Sequence, residues 1–470
     1  MATAGGSTDR DPPGDGRHPT VSIVTVSYNG RRYLERFVES VLAIDYPARC
    51  YRLVLVDNAS TDGSVAFVRD QFPQVRVLEA GGNRGFAGGC NLGIESTDSQ
   101  YVALVNNDTV VERDWLRALV ETAESDPRVG LVGSKLLFLT PFLDLRLDTL
   151  GEAGTGNSAS GPALLLRGAR VVGCEYDKLL LRAGHLRAAD ESGQPVHTLA
   201  GSSRMAVPLA RADAAAMLEI NLASAPPRGD LTVELRLGDT EIARLPVAAV
   251  SQTFCREVPP DIVARAARDV INNAGTRIDG EGRFGDRGIF EFDEGQFDTT
   301  EDVPALCGAS VLVRRRMLET IGGFDVRYFM YFEDVDLSWR AHRAGWRVVY
   351  APRSRLRHVH AGTSHEGSPL WVFFVTRNRL FFLIKHGTAW GTVREVSRFY
   401  ARALRGAQAT LGRLLRRDSQ VTPTAATIDF QVARSLARHL PGLLISRYRA
   451  PEADGVGRWT AVAGRGRPSA

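Results

Sequence analysis

Residues 101–111 read YVALVNNDTVV, an apolar run that breaks at two asparagines and an aspartate before apolar residues resume. A short apolar run bounded by polar residues is typical of a buried β-strand. The polar break, Asn106 to Asp108, then falls where this strand ends. Because ligands of parallel sheets bind outside the carboxyl ends of the strands, the break predicts a ligand site.

Two further apolar runs on the N-terminal side, VSIVTVSY from Val21 and RLVLVDN from Arg52, also end in polar residues. The segment between them places apolar residues on one helical face, namely Leu34, Phe37, Val38, Val41 and Leu42. Strands that alternate with amphipathic helices indicate crossover units. We therefore predict an α/β fold with a doubly wound, mostly parallel sheet.

Aspartates accompany these strand ends. Asp57, Asp62 and Asp108 stand at or just after the predicted strands. A single aspartate in such a place is more often a turn residue or a helix cap. Three at one edge of a sheet repel one another unless a cation or a donor-rich ligand compensates them. We expect the three to converge on one crevice that binds such a ligand.

The middle of the chain changes character and contains short alternating runs such as LTVELRL (231–237). Such runs predict short strands and hairpins, and therefore an inserted β-rich domain. Beyond it, ALCGASVLVRR predicts a strand and EDVDLSWRAHRAG a helix, before Arg-rich helical patterns. The predicted segments are a disordered leader at 1–19, an α/β half at 20–140, the insert at 141–269, a second α/β half at 270–385, a helical region at 386–450 and a flexible tail at 451–470.

Composition excludes few functions. The chain has 470 residues, 44% of them hydrophobic, and 58 basic against 54 acidic side chains give a net charge of +4. This charge is too small to indicate a nucleic-acid partner, and we predict none. The five cysteines show no CxxC pair and no zinc-finger spacing, which favours thiols in a reducing compartment. We therefore predict a cytoplasmic protein.

The most apolar long stretch is LWVFFVTRNRLFFLI (370–384). It carries Arg377 and Arg379 at its centre and is shorter than the ~20 residues that span a bilayer, so we expect no transmembrane helix there. A core helix is the commoner fate of such a stretch. The alternative is a peripheral surface that rests, together with the Arg-rich helices beyond it, on the anionic inner face of the cell membrane.

A glycine-rich stretch, GGNRGFAGGCNLGI (81–94), precedes the apolar run at 101–111. Glycines let the backbone approach a ligand closely, and the helix predicted after them offers its N-terminus to an anion. The stretch is neither a GxGxxG motif after a first strand nor a GxxxxGK[ST] loop, which counts against a dinucleotide oxidoreductase and a P-loop enzyme. A flexible loop that caps a helix fits it equally well.

A second acidic group, Glu333, Asp334 and Asp336, stands at the start of a predicted helix. Acids there commonly cap the helix, but the aromatic residues just before them favour a carboxylate that is able to take a proton. Downstream, His358 and His360 alternate and share one face if that segment is extended. Such a pair is more often structural, although neutral imidazole is also an ordinary ligand of divalent metals.

Together these stretches resemble glycosyltransferase family 2, whose members have the GT-A fold, and within it the bacterial rhamnosyl- and galactofuranosyl-transferase-like branch. The stretches that carry the resemblance are VSIVTVSYNG, LVLVDNASTDGS, GGNRGFAGGCNLGI, YVALVNNDTVV, GASVLVRRRMLETIGGFD, YFEDVDLSWRAHRAGW and RLRHVHAGTS. They occur in the expected order within residues 20–140 and 270–385. The resemblance implies that the first of these segments binds the nucleotide-sugar and the second the acceptor.

The resemblance also implies a role for each candidate residue. The implied nucleotide-sugar-binding residues are Thr25, Tyr28, Asp57, Asp62, Asn83, Arg84, Gly85 and Asn107. Asp108 occupies the metal-binding position of the family's DXD motif, in which Asn106 stands where an aspartate is usual. His358 or His360 is the implied additional metal ligand.

By the same resemblance, Asp334 is the general base of an inverting, metal-dependent glycosyltransferase, with Glu333 as the alternate. The implied cofactor is Mg²⁺ or Mn²⁺. The implied donor is a nucleotide-diphosphate sugar of the UDP, dTDP or GDP type, and the implied acceptor is a glycan or lipid-linked glycan in cell-envelope polysaccharide synthesis.

Two other functions stay open on the sequence. A sugar-1-phosphate nucleotidyltransferase also uses acidic metal ligands on a parallel sheet, but the turn after the first strand, SYNGRRY (27–33), matches its glycine-rich basic loop poorly. A non-catalytic carbohydrate-binding protein gains weight from the insert. For the insert itself we predict binding of a polymeric acceptor or self-association into a homo-oligomer.

Overall fold

A computed structural model describes residues 16–150, 163–174, 179–189, 195–224, 231–278, 283–359, 367–415 and 424–449. The chain divides into two compact units: the first contains 1–136, 273–287 and 297–470, and the second contains 137–272 and 288–296. Three predicted features lie wholly or largely outside the described residues, namely the leader at 1–19, the tail at 451–470 and His360.

The N-terminal part of the chain alternates strands with helices. Its elements are β1 (Val21–Ser27), α1 (Arg31–Leu42), β2 (Tyr51–Asp57), α2 (Ser64–Gln71), β3 (Arg76–Glu79), α3 (Gly85–Glu95), β4 (Tyr101–Val105), β5 (Thr109–Val111), α4 (Trp115–Glu124) and β6 (Val129–Phe138). The first four strands pair in parallel, in the order β3-β2-β1-β4. Parallel pairs need crossover connections, and α1, α2 and α3 supply them.

Helices cover both faces of this parallel part, which explains why β1 and β2 are apolar along most of their length. On one face, Ile23 and Leu55 share a buried cluster with Phe37 of α1. On the other face, α3 lies so close to β1 that a Cβ atom added to Gly93 would meet Val24 Cγ1 at 2.3 Å. Glycine at this position therefore sets how closely the helix packs on the sheet.

The second unit is a β-rich insertion. The elements in this part of the chain are β7 (Phe142–Leu150), β8 (Ala163–Val171), β9 (Leu180–Ala189), β10 (Pro195–Pro208), β11 (Ala216–Ser224), β12 (Leu231–Leu237), β13 (Thr240–Val247), β14 (Gln252–Val258), α5 (Pro260–Ala266), β15 (Ala267–Arg268) and β16 (Ile271–Asn273). Its antiparallel sheet has the order β13-β12-β7-β10-β8-β11-β14. Alternate side chains point into one apolar core, as with Val233, Leu235 and Leu237 of β12.

The chain then returns to the first sheet. The returning elements are β17 (Thr276–Ile278), β18 (Phe284–Asp286), β19 (Glu301–Asp302), β20 (Ser310–Arg314), α6 (Arg315–Ile321), α7 (Glu333–Arg343) and β21 (Arg347–His358). The order across this sheet is β19-β21-β6-β20-β4-β1-β2-β3, with β5 beside β21. Strand β20 is antiparallel to both β4 and β6. The sheet is therefore mixed rather than mostly parallel, because β20 enters it from the end opposite to that used by the crossover units.

Three helices complete the first unit: α8 (Pro369–His386), α9 (Ala389–Leu415) and α10 (Thr424–Arg449). The apolar stretch 370–384 lies in α8, where Leu380, Phe381 and Ile384 are buried against α9 and α10. The prediction of a core helix for this stretch is therefore confirmed. In the described part of the chain, no helix is long and apolar enough to cross a membrane.

Candidate active site

The polar residues of the N-terminal half lie at the carboxyl ends of three neighbouring parallel strands. Ser27 ends β1 and Asp57 ends β2, while Asn107 follows β4. The Asn107 side-chain amide donates a hydrogen bond of 2.9 Å to Ser27 Oγ. Thr25 is buried, and its Oγ1 atom has no hydrogen-bond partner among the described residues. Tyr28, which directly follows β1, is 46% exposed.

The carboxylates of Asp57 and Asp62 accept hydrogen bonds from neighbouring residues of the protein. The Asp57 carboxylate accepts a hydrogen bond of 3.1 Å from the Ser60 amide. Asp62 accepts hydrogen bonds from the Arg31 amide and from the amide and hydroxyl of Ser64, so it ties the start of α1 to the start of α2. Burial raises the pKa of Asp62, but these hydrogen bonds outweigh it and lower the pKa below its usual value. Asp57 and Asp62 are therefore hydrogen-bonded within the protein, and the convergence of Asp57, Asp62 and Asp108 on one ligand stays a prediction.

Asp108 has a different environment. It is 6% exposed, and its Oδ1 atom accepts no hydrogen bond from any described residue. His358 Nε2 lies 3.3 Å from this oxygen, because β21 pairs with β5 in a register that places His358 opposite Thr109. A carboxylate oxygen and an imidazole nitrogen both suit a divalent cation. No third His, Cys, Asp or Glu joins them within the described ranges, so other ligands would come from the diphosphate or from water.

The glycine-rich stretch leads into α3, which begins at Gly85. Asn83 Oδ1 accepts a hydrogen bond from the Gly85 amide, and the Asn58 side chain donates one to Gly85 O. Arg84 Nε donates to Ala80 O. These hydrogen bonds fix the loop ahead of α3 onto the end of β2. The loop therefore has a defined conformation ahead of α3, although its N-cap residue, Arg84, makes no side-chain capping hydrogen bond.

The acidic pair stands at the start of α7. Glu333 is 5% exposed, and burial, followed by the charge of Asp334, raises the pKa of its carboxyl well above the usual range. Asp334 is half-buried, with Oδ2 accepting from the Gly308 amide and Oδ1 from the Val335 amide, each at 2.8 Å. Burial outweighs these two hydrogen bonds and raises the pKa of Asp334 to about 6. At neutral pH, Asp334 is therefore a carboxylate of unusual basicity, and burial favours the protonated form of Glu333 beside it.

Main-chain contacts bring the three motifs to one end of the sheet. The Asn106 amide donates to Ala309 O, and the neighbouring Gly308 donates to Asp334. The Ala87 amide of α3 donates to Phe329 O, which lies shortly before the acidic pair. The NND break, the glycine-rich stretch and the acidic pair, which are far apart in the sequence, therefore border one region.

Two segments of the chain that contribute to this site match profiles of known protein families. The profile of glycosyl transferase family 2 matches residues 22–149, and that of glycosyltransferase-like family 2 matches residues 288–391. Both matched segments belong to glycosyltransferase family 2. The two matches together include β1 to β5 with the NND break, and α7 with the acidic pair. Most of the β-rich insertion lies between them.

Similar proteins support this assignment. The glycosyltransferase is 24% identical over 380 residues to the N-acetylglucosaminyl-diphospho-decaprenol L-rhamnosyltransferase of Mycobacterium tuberculosis, with 78% of this chain and 85% of that protein covered. It is 32% identical over 116 residues to the succinoglycan biosynthesis protein ExoO of Rhizobium meliloti, with 24% and 33% covered. The first of these relatives is a rhamnosyltransferase by name, and the second takes part in polysaccharide synthesis. A solved mannosyltransferase of Pyrobaculum calidifontis with GDP-Man and Mn²⁺ matches at 14% identity and a TM-score of 0.39, over 97% of this chain and 88% of that one.

The segment before the acidic pair of the glycosyltransferase has an unusual backbone. Phe329, Tyr331 and Phe332 all have φ between 66° and 69°, a region that bulky residues rarely adopt. Helix α8 holds this segment in place. Asn378 Nδ2 lies within 2.9 Å of three of its carbonyl oxygens, those of Tyr328, Met330 and Tyr331, and Arg377 Nη2 donates to Arg327 O and Tyr328 O.

Arg377 and Asn378, which hold the segment before the acidic pair, were not among the site residues predicted from the sequence. Asn378 is fully buried and Arg377 is 7% exposed. The signal was present in the sequence: two polar residues at the centre of an apolar helix must find buried hydrogen-bond partners. What the sequence did not show was that these partners are the carbonyls of the strained segment.

Asp336, two residues after Asp334, has a structural role. It is fully buried and contacts Arg340, Lys385, His386 and the Tyr328 hydroxyl. Burial alone would raise the pKa of Asp336, but the charge of Arg340 and the other contacts hold it well below the usual value. The three acids of this helix therefore divide into a pair with raised pKa values, Glu333 and Asp334, and a fixed anion, Asp336, that binds α7 to α8.

Alanine at Gly85 is expected to destabilise the first unit by about 2 kcal/mol, since Gly85 has φ +70° and an added Cβ would lie 2.5 Å from Phe329 O. The measurement is urea unfolding followed by tryptophan fluorescence, because the five tryptophans among the described residues lie in the first unit. The matched control is Gly82→Ala, whose added Cβ has no neighbour within 4 Å. Equal shifts for both variants would show that the contact with Phe329 O is unimportant.

Proposed function

We propose that this glycosyltransferase is inverting and uses a divalent metal, moving a sugar from a nucleoside-diphosphate donor to a hydroxyl group of a lipid-linked glycan during cell-envelope polysaccharide synthesis. The observation that carries the proposal is the contrast between Asp334 and Asp108 at one end of the sheet. Asp334 has the basicity of a proton acceptor, whereas Asp108 presents a buried oxygen without a hydrogen bond beside His358. The name of the mycobacterial relative specifies a diphospho-decaprenol-linked acceptor, which supports the acceptor class.

In the proposed reaction, Asp334 accepts the proton of the acceptor hydroxyl. An acceptor hydroxyl gives its proton to the Asp334 carboxylate while its oxygen forms a bond to the anomeric carbon of the donor sugar. The bond from that carbon to the diphosphate oxygen breaks, and its electron pair leaves with the nucleoside diphosphate. Attack from the face opposite the leaving group inverts the anomeric configuration.

The negative charge of the leaving diphosphate needs compensation. Mg²⁺ or Mn²⁺, held by Asp108 and His358, would supply it as a Lewis acid. The protein's own contribution is to keep Asp108 buried and oriented by the pairing of β5 with β21. Because Asp108 is the only carboxylate of the NND break, we expect the metal to bind mainly together with the nucleotide.

The nucleotide is assigned to the strand ends. Thr25 offers a buried hydroxyl that lacks a partner in the described structure, and Tyr28 offers an exposed ring for a base. Asp57, Asn83, Arg84, Gly85 and Asn107 complete the proposed pocket. Asp62 belongs to it through positioning, since its carboxylate holds α1 and α2 together. The donor nucleotide is UDP, dTDP or GDP.

Calorimetric titration with UDP, dTDP and GDP, each with and without Mn²⁺, tests this assignment. We expect one nucleotide to bind at least tenfold more tightly with Mn²⁺, because a cation held by Asp108 would compensate the charge of the diphosphate. Asp108→Asn should abolish this gain and leave metal-free binding unchanged. The control is Asp45→Asn, which removes an exposed carboxylate that pairs with Arg117 on the surface.

Two results would contradict the proposal. If Mn²⁺ strengthens nucleotide binding equally in wild type and Asp108→Asn, the metal site is elsewhere. If the protein releases pyrophosphate from a nucleoside triphosphate and a sugar phosphate, it is a nucleotidyltransferase.

A further inference from the structure

Helix α9 exposes a stripe of apolar side chains. The stripe consists of Trp390, Val393, Tyr400, Leu404 and Leu411, which are 76%, 58%, 45%, 61% and 58% exposed. Intervals of three, four and seven residues place these side chains on one face of the helix. At about 1.5 Å per residue the stripe extends for about 30 Å.

The stripe is separate from the face that packs in the protein. Phe399 of α9 is 4% exposed and, with Val396, lies in the cluster formed by α8 and α10. The 27-residue helix therefore has one apolar face for the core and a second apolar face toward solvent. An exposed apolar surface of this length is a typical interaction site.

Arginines border the stripe. Helix α9 contains five arginines and one acid, Glu395, a net charge of +4 that equals the net charge of the whole chain. Arg394, Arg398, Arg402 and Arg405 follow one another along one flank, and the first three have side chains that are 46%, 65% and 58% exposed. Although Arg398 and Arg402 have acidic neighbours, Glu395 and Asp429, the flank as a whole is cationic.

We infer that α9 lies on the surface of an anionic phospholipid bilayer. Tryptophan and tyrosine favour the boundary between lipid and water, and arginines beside an apolar stripe can bind lipid phosphates while the stripe enters the acyl region. Leu380, Phe381 and Ile384 of α8 are buried, so the exposed stripe and its arginines place the contact on α9, one of the Arg-rich helices included in the predicted membrane surface. This inference does not depend on the proposed reaction, since lipid binding requires neither donor nor acceptor.

Flotation of the full-length protein with vesicles tests the inference. Vesicles of phosphatidylcholine alone are compared with vesicles that contain phosphatidylglycerol, at low and high salt. We expect binding to the anionic vesicles at low salt, and at least tenfold weaker binding to neutral vesicles or at high salt, because the arginines are screened.

Two variants separate the apolar and the cationic contributions. W390S/L404S should weaken partitioning into anionic vesicles at least tenfold, and R394Q/R405Q should weaken it similarly while removing most of its salt dependence. The control V172S/V250S replaces two exposed apolar residues of the second unit and should bind as wild type does. Nucleotide binding is measured on every variant and should be unchanged, so failure of this inference is distinguishable from failure of the proposed function.

Three results would overturn the inference. The first is the absence of vesicle binding by wild type at low salt. The second is equal binding by wild type and both stripe variants. The third is a dimer that W390S/L404S converts to a monomer, together with no vesicle binding, which would make the stripe a contact between copies of this chain.

Discussion

Replacing Asp334 with asparagine is expected to lower the rate of sugar transfer by about 10³-fold, the contribution typical of general-base catalysis. Asparagine can still accept the hydrogen bond from Gly308, so the local fold should persist. At pH 8 the variant should be at least as stable as wild type, because ionising a carboxylate whose pKa is raised by burial costs folding free energy. The measurements are the transfer rate with the donor that binds and the urea midpoint of tryptophan fluorescence.

The wild-type transfer rate should also depend on pH through the ionisation of Asp334. With the pKa of Asp334 raised to about 6, the carboxylate form increases as pH rises through that value. The wild-type transfer rate should therefore rise between about pH 5 and 7 and then level off, and the residual rate of Asp334→Asn should lack this rise.

Glu333→Gln is the matched control for the assignment of the base. Burial raises the pKa of Glu333 and so favours its protonated form, which glutamine closely resembles. The variant should therefore retain transfer within about tenfold of wild type. If Glu333→Gln loses as much activity as Asp334→Asn, or loses the rise with pH, the base is Glu333.

Replacing Lys385 with methionine is expected to destabilise the first unit by about 3–5 kcal/mol, which is typical when one partner of a buried ion pair is removed. Lys385 is 4% exposed, and its ammonium group contacts both Asp325 and Asp336. Methionine fills a similar volume, so the loss should come from charge rather than from a cavity. Urea unfolding followed by tryptophan fluorescence measures it.

The double variant Asp336→Asn/Lys385→Met should be less destabilised than the sum of the single variants, since it removes both charges. The control is Arg69→Met, which breaks an exposed pair with Glu79 and should cost at most about 1 kcal/mol. Similar losses for Lys385→Met and Arg69→Met would contradict a buried ionic role for Lys385.

Lowering the pH should weaken the same contact between Asp336 and Lys385. Asp336 has a pKa held well below that of an unfolded aspartate, so the folded state binds fewer protons than the unfolded state. Its stabilising contribution is fully present above the ordinary aspartate pKa of about 4 and decreases as pH falls through the lower folded-state value. The stability of Asp336→Asn should therefore fall less steeply with acid than that of wild type.

Several features of the fold are local and were predictable from the sequence. Strands β1, β2 and β4 follow from short apolar runs, and their polar ends follow from where those runs stop. The position of β20 was also predictable from its sequence, but its direction was not. That direction depends on how the chain re-enters the sheet after the β-rich insertion, which no local pattern records.

The proximity of Asp108 and His358 was only partly predictable from the sequence. Residue type made both candidates for a metal site, yet they are far apart in the chain. The register between β5 and β21 brings their side chains within 3.3 Å, and register depends on strand pairing over the whole sheet.

The sequence by itself showed the motifs of glycosyltransferase family 2 and the acids that begin α7. Only the tertiary structure distinguished the acids from one another. Asp334 and Asp336 are identical in type and two residues apart, but the pKa of Asp334 is raised to about 6 and that of Asp336 is lowered. The physical reason is that a pKa depends on burial and on nearby charges, and those beside Asp336 include Lys385 and His386 of α8, about fifty residues further along the chain.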